Sequence, residues 1–215
     1  NEETRSDDFY TYLKSIRNYP KATETIILKS AEGHISDQKA NRIDSFLGKN
    51  DVVRLEEQGY VEWSFEVSQS AVYRMMLTYH ATEKSLRNPQ VSVEVDGKIP
   101  YISAGSIELD KIWVDSSKEE FDIRGNQIQP ESTQLDDWVN AILFDDDAML
   151  SEAHQIYLTA GTHTIRITSV RDGISLAELK LYGEEEPKPY SELKKEYEQK
   201  GYSVVGEITT VQAEK

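Results

Sequence analysis

A chain of 215 residues with no cysteine has no disulfide framework and no thiolate metal site. Its formal net charge of −15 makes a surface that repels phosphate backbones and anionic membranes, which excludes nucleic acid as a partner and leaves a neutral ligand or a cation compatible. Hydrophobic content of 38% is low for a globular protein, but strong local periodicity argues against wholesale disorder, and no apolar run approaches the roughly 18 residues of a membrane span, so no direct membrane insertion is expected.

Residues 1–23 are polar, with Phe9, Tyr10, Tyr12, Leu13 and Ile16 at roughly helical spacing. Asp7 or Asp8 is placed to cap that helix and Tyr19-Pro20 to stop it, so a short N-terminal helical extension is expected. Strands are expected over 24–31, 51–56, 60–67, 71–80, 90–96, 107–114, 139–144, 154–159, 163–170 and 174–182. Three stretches, Gly59 to Val67, Val91 to Gly97 and Ala160 to Ile167, alternate apolar and polar residues with period two beside glycine-containing turns. Alternation sends one set of side chains into a core and the other into water, as in a half-buried antiparallel strand. Trp63 shares its face with Val61 and Phe65 and is expected in that core. Pro89, Asp96-Gly97, Gly161 and Asp172-Gly173 punctuate the strands as turn residues do. Many short strands without interleaved helices predict an all-β fold, an antiparallel β-sandwich or jelly roll over residues 24–183.

After Gly183 the composition changes. Glu184-Glu185-Glu186-Pro187-Lys188-Pro189 reads as a stiff, solvated linker. Ser191 to Lys200 reads as a short charged helix ended by Gly201, and Glu207 to Lys215 as the start of another strand. Residues 184–215 are therefore expected to be a linker, a helix and the beginning of a following module. The opening Asn1-Glu2-Glu3-Thr4 reads as the start of a mature or excised fragment.

Residues 113–147 break the alternation, and loops between scaffold strands are where binding groups usually sit. This stretch holds Trp113, Asp122-Ile123-Arg124-Gly125-Asn126-Gln127, Pro130, Gln134, Asp136-Asp137-Trp138 and Asp145-Asp146-Asp147. Planar aromatics with an arginine, amides and carboxylates match what a neutral sugar requires: a platform for the C–H face of the ring, and paired donors and acceptors for vicinal hydroxyls. Trp113 and Trp138 are candidate stacking platforms, and Arg124, Asn126 and Gln127 are candidate partners for hydroxyls, with Asp122 orienting Arg124. A structural account stands beside each. The two tryptophans equally fill space under a long loop, Arg124 equally pairs with Asp122 to hold that loop, and the amides equally satisfy its backbone.

The triple acid at 145–147 is a hard oxygen cluster without the spacing of a calcium loop, and a solvated turn explains it. Glu32 and Glu178, near the ends of the first and last strands, are candidate ligands for a structural calcium ion. His34, His80, His154 and His163 show no ligand spacing, and His163, just after a glycine turn, reads as structural. No nucleophile elbow, phosphate loop or zinc motif occurs, and no pair of carboxylates stands out as a glycosidase would require.

Taken in order, Tyr60-Val61-Glu62-Trp63, Val72-Tyr73, Val95-Asp96-Gly97-Lys98, Trp113, Arg124-Gly125-Asn126-Gln127, Trp138 and Gly161-Thr162-His163-Thr164-Ile165 resemble the galactose-binding-like jelly-roll modules related to carbohydrate-binding module families 6 and 35. Within that group the chain is similar to the N-terminal module of surface-attached solute-binding lipoproteins of carbohydrate ABC transporters in Gram-positive bacteria. The resemblance covers roughly residues 24–183, and Val211-Gln212-Ala213-Glu214 looks like the opening strand of a second such module. It implies an extracellular, non-catalytic domain that recognises a poly- or oligosaccharide or helps assemble a larger binding protein. The first strand departs from the family's opening, since Ala31-Glu32 stands in a different setting, and this bears on the family's structural calcium site.

The leading expectation is a non-catalytic carbohydrate-binding module for capture and uptake of polysaccharide. The alternative is a structural interaction domain that docks neighbouring domains of the same polypeptide and binds no sugar. An enzyme of glycan breakdown is the third reading.

Overall fold

The period-two pattern of Tyr60–Val67 survives folding: Val61, Trp63, Phe65 and Val67 are buried, while Ser64 and Glu66 face water. The computed structural model, which describes residues 8–36, 38–82, 85–115, 120–121, 124, 127–128, 132–145 and 152–183, arranges such strands in two main antiparallel sheets beside two short two-stranded ribbons. In chain order the elements are α1 (Phe9–Ile16), β1 (Ile26–Lys29), β2 (His34–Ile35), β3 (Ala40–Phe46), β4 (Lys49–Leu55), β5 (Tyr60–Val67), β6 (Ala71–Ala81), β7 (Gln90–Val95) and β8 (Ile107–Glu108). There follow β9 (Trp113–Asp115), β10 (Glu120–Phe121), β11 (Gln127–Ile128), β12 (Ser132–Gln134), β13 (Val139–Ile142), β14 (Gln155–Leu158), β15 (Gly161–Arg171) and β16 (Ile174–Tyr182). One sheet runs β2-β5-β15-β7-β8. The other runs β13-β6-β16-β4-β3, with β14 also on β6 and β1 also on β16. The fold is an all-β sandwich, as the alternation predicts.

The core lies between the sheets. Trp63, Phe65, Val91, Val93, Ile165 and Ile167 on one side meet Tyr73, Met75, Leu77, Tyr79, Leu179 and Leu181 on the other. Trp63 is buried as expected, and its indole N–H donates to the Lys29 carbonyl at 2.7 Å. Strand β16 reaches the core with a change of parity. Ile174 and Leu176 are buried, then the pairing with β6 slips between Leu176 and Glu178, and Leu179 and Leu181 take over. An extra residue in one strand turns the rest of it over, so a strict two-residue count along 174–182 assigns the wrong face to its second half.

The edge strand β3 was not legible in the sequence. Its Asn41, Arg42, Asp44 and Ser45 are exposed, so no alternation marks it. It joins β4 through Leu47 and Gly48, both at positive φ (44° and 76°), the geometry of a two-residue hairpin turn. The expected strand 107–114 is two strands, β8 and β9, in different sheets.

The helix expected near the N-terminus is α1. Asp8 caps it, accepting the Thr11 N–H at 2.9 Å and the Thr11 hydroxyl at 2.8 Å. Phe9 packs on Tyr101 and His154, with centroids 4.7 and 5.0 Å away. The Tyr12 hydroxyl accepts the backbone N–H of Tyr157 in β14 at 2.9 Å. The chain separates into two units, 1–184 and 185–215. The linker, helix and following strand expected over 184–215 lie outside the described residues.

Candidate functional site

A cleft of about 330 Å³ opens where β6 ends, lined by Ala81, Thr82, Leu86, Trp113, Thr133, Gln134 and Asp136. Three chain segments meet there: the end of β6 with the loop after it, β9, and β12. The pairing of β9 with β12 puts Gln134 directly opposite Trp113, and side chains of opposed residues share one face of a ribbon. The Gln134 amide then donates to the Ala81 carbonyl at 3.3 Å, tying the ribbon to β6. Trp113 is 42% exposed and Leu86 is 90% exposed. Water does not hold such side chains by preference, so an open apolar surface beside polar groups marks a place for a ligand.

Buried polar groups fix the loop that carries Leu86. The Lys111 ammonium donates to the Ser85 carbonyl at 2.9 Å and contacts its hydroxyl at 3.1 Å. That hydroxyl donates to the Asp172 carboxylate at 2.9 Å. On the opposite wall, Asp136 accepts from His80 Nε2 at 2.8 Å. His80 is itself buried, edge-on to Phe46 at 5.0 Å and to Trp138 at 6.1 Å.

The candidate residues therefore separate. Trp113 lines the cleft. Trp138 does not share that open surface: half-buried, it stands edge-on to Phe46 and His80, and its indole N–H donates to the Leu47 carbonyl at 3.2 Å. Arg124 lies exposed in a turn between β10 and β11. Gln127 opens β11 opposite Phe121. Asp122 and Asn126 lie outside the described residues, as do Asp146 and Asp147 of the triple acid. Thr82, Leu86, Thr133, Gln134 and Asp136 were not singled out as ligand contacts. Gln134 and Asp136 fall within the irregular stretch that drew attention, whereas Thr82 and Leu86 come from a segment with no signal of its own.

Glu32 is exposed in a short 3-10 turn, and Glu178 lies in β16 across from Lys29. Among the described residues no three His, Asp or Glu side chains converge as in a metal site. Calcium takes six to eight oxygens, so an ion held by these two carboxylates needs further oxygens from backbone carbonyls or water. His163 is structural: its Nδ1 meets the Asp96 carboxylate at 2.7 Å and its Nε2 the Thr159 carbonyl at 2.9 Å. Burial works to raise the Asp96 carboxyl, but the Thr164 N–H and His163 together outweigh it and hold it below the usual carboxylate value.

No family model matches the chain, and no curated protein matches it. Solved structures similar to it include a family 35 carbohydrate-binding module from Clostridium thermocellum, at 18% identity and TM-score 0.47, covering 75% of this chain and 100% of that one. The C-terminal CBM6 of a marine laminarinase from Zobellia galactanivorans matches at 8% identity and TM-score 0.45, covering 74% and 99%. A GH26-CBM35 β-(1,4)-mannanase from Podospora anserina matches at 11% identity and TM-score 0.47, covering 79% of this chain but 29% of that one.

Proposed function

We propose that this chain is a non-catalytic carbohydrate-binding module whose site is the cleft at the end of β6. The observation that carries the proposal is Trp113, an exposed indole set in a polar-rimmed cleft of sugar size. Its ring face provides the apolar platform that a pyranose prefers, and the threonines, Gln134 and Asp136 provide the polar rim. Non-catalysis fits the same lining, in which Asp136 is the single carboxylate among the described residues and a glycosidase uses two. The family resemblance read from the sequence extends the proposal to an extracellular, cell-surface protein that captures poly- or oligosaccharide for uptake, with neighbouring domains of the same polypeptide as partners.

Affinity electrophoresis across plant, fungal and host polysaccharides is the test. Retention on at least one is expected, with single-site affinity of roughly micromolar to millimolar, or about −8 to −4 kcal/mol. Trp113→Ala should weaken it about thirtyfold, or ~2 kcal/mol, at unchanged circular dichroism. Absence of retention on every polysaccharide sinks the proposal.

One observation favours the alternative, a docking surface without sugar: Ile112 and Val114, the chain neighbours of Trp113, and Leu135, the neighbour of Gln134, are also exposed. Under that reading Trp113→Ala disrupts association with the neighbouring domains, and no glycan is retained. A structural calcium ion at Glu32 and Glu178 is a separate proposal. A melting temperature raised by calcium and restored by chelator supports it, and no change removes it.

A further inference from the structure

The cleft sets few donors against one strong acceptor. Among its described lining residues, one N–H of the Gln134 amide goes to the Ala81 carbonyl at 3.3 Å, the Thr82 hydroxyl to the Gly173 carbonyl at 2.7 Å, and the Thr133 hydroxyl to the Val114 carbonyl at a long 3.5 Å. The second Gln134 N–H and the Trp113 indole N–H are the donors beyond these, and the strong acceptor is a carboxylate. The Asp136 side chain is 70% exposed and uses one oxygen for His80, which leaves the other to accept. His80 Nδ1 is buried without a partner. Asp136 is the one ionisable side chain in the described lining. Gln134 Oε1 is buried with no donor, the uncompensated negative end of an amide dipole.

A ligand complementary to this wall is rich in donors and positive. A neutral sugar hydroxyl donates and accepts alike, so it meets the charge of Asp136 with a weaker, uncharged donor. A uronate brings a second negative charge to Asp136 and to a chain of net charge −15. A protonated amino sugar brings three N–H donors and a positive charge, and an exposed indole face attracts cations as well as sugar rings. Resting on the carbohydrate reading of this cleft, we infer that its ligand class is the amino sugars with free amines: Asp136 accepts from the ammonium group and Trp113 carries the ring.

Charge alone draws a polycation to any part of so acidic a surface, and the test separates that from a site. Isothermal titration is run with the glucosamine pentamer, its fully N-acetylated counterpart, cellopentaose and a galacturonate pentamer. The wild type should bind the glucosamine pentamer roughly tenfold tighter than either neutral oligomer, the worth of one charge-assisted hydrogen bond, and the galacturonate weakest. In Asp136→Asn, where the amide still accepts from His80, the amine advantage should vanish, so that glucosamine and cellopentaose pentamers bind alike on that variant. Glu66→Gln, which removes an equal charge on the outer face of β5, should keep the advantage. A wild type that prefers the neutral or acidic oligomer overturns the inference while sparing the carbohydrate reading. So does an Asp136→Asn variant that retains the amine advantage, which then belongs to bulk charge. Binding of none of the four, by a protein that also fails on polysaccharide gels, removes the carbohydrate reading and this inference together.

Discussion

Leu47 holds φ at 44° in the turn between β3 and β4, a left-handed conformation in which a β-carbon crowds its own backbone. Asparagine tolerates that conformation and is favoured before glycine in such turns. Leu47→Asn should therefore raise stability by about 1 kcal/mol, read as a higher midpoint in urea at unchanged slope. The Leu47 carbonyl that receives the Trp138 indole is unaffected by the exchange. Single residues also mark the limit of what the sequence discloses. Trp113 and Trp138 look alike in the sequence, each a tryptophan in an irregular acidic stretch. They part because Trp113 lies on a two-stranded ribbon with its ring left open, whereas Trp138 immediately precedes β13 and meets Phe46 and His80 from other strands. That difference is set by contacts about 60 and 90 residues away in the chain, which no local pattern records.

Among the elements, β5, β7 and β15 declare themselves by alternation, β5 with one wet and one dry face and β7 with its polar Ser92 buried as well. Strand β6 is buried on both faces through most of its length, with Thr78 and His80 as dry as Leu77 and Tyr79, and reads as a mostly apolar run interrupted by Arg74, Thr78 and His80. Strand β3 is wet at most positions and carries no signal. The hairpin β3–β4 is braced where Phe46, His80 and Trp138 meet, so Trp138→Ala should lower stability by about 2 kcal/mol, seen as a lower melting temperature. The seat of α1 responds to pH. Burial, opposed by the Asp145 carboxylate and a backbone bond to Phe144, pushes the His154 imidazole down to about 4. An ordinary histidine in the unfolded chain titrates near 6.5. The unfolded state therefore takes up the proton first, and stability present above about pH 6.5 is lost as pH falls towards 4, by about 3 kcal/mol in all. Urea midpoints measured from pH 7 to 4 should fall, and His154→Gln should flatten that fall; an equal slope in the variant assigns the loss to other groups.

At the scale of the molecule, a net charge of −15 on one chain sets repulsion against compactness. Raising ionic strength from about 0.01 to 0.15 M shortens the screening length from about 30 to 8 Å and should raise the melting temperature. A fall would show that exposed pairs such as Arg171–Glu108 outweigh the repulsion. The overall class was legible because an antiparallel sandwich needs little beyond alternation and turns. The cleft was not, since it exists only where the β6 end, β9 and β12 converge.

The bond between Tyr12 and the Tyr157 N–H has a consequence for how copies of this protein behave towards each other. Among the described strands β14 pairs with β6 alone, so its other rim would offer free backbone groups to any extended chain that met it. The helix α1 sits there like a stopper, its tyrosine hydroxyl occupying one of those groups. A chain shortened to begin near Pro20 would keep its sandwich but uncork that rim, and light scattering of such a protein should grow with concentration and time while the longer chain stays clear.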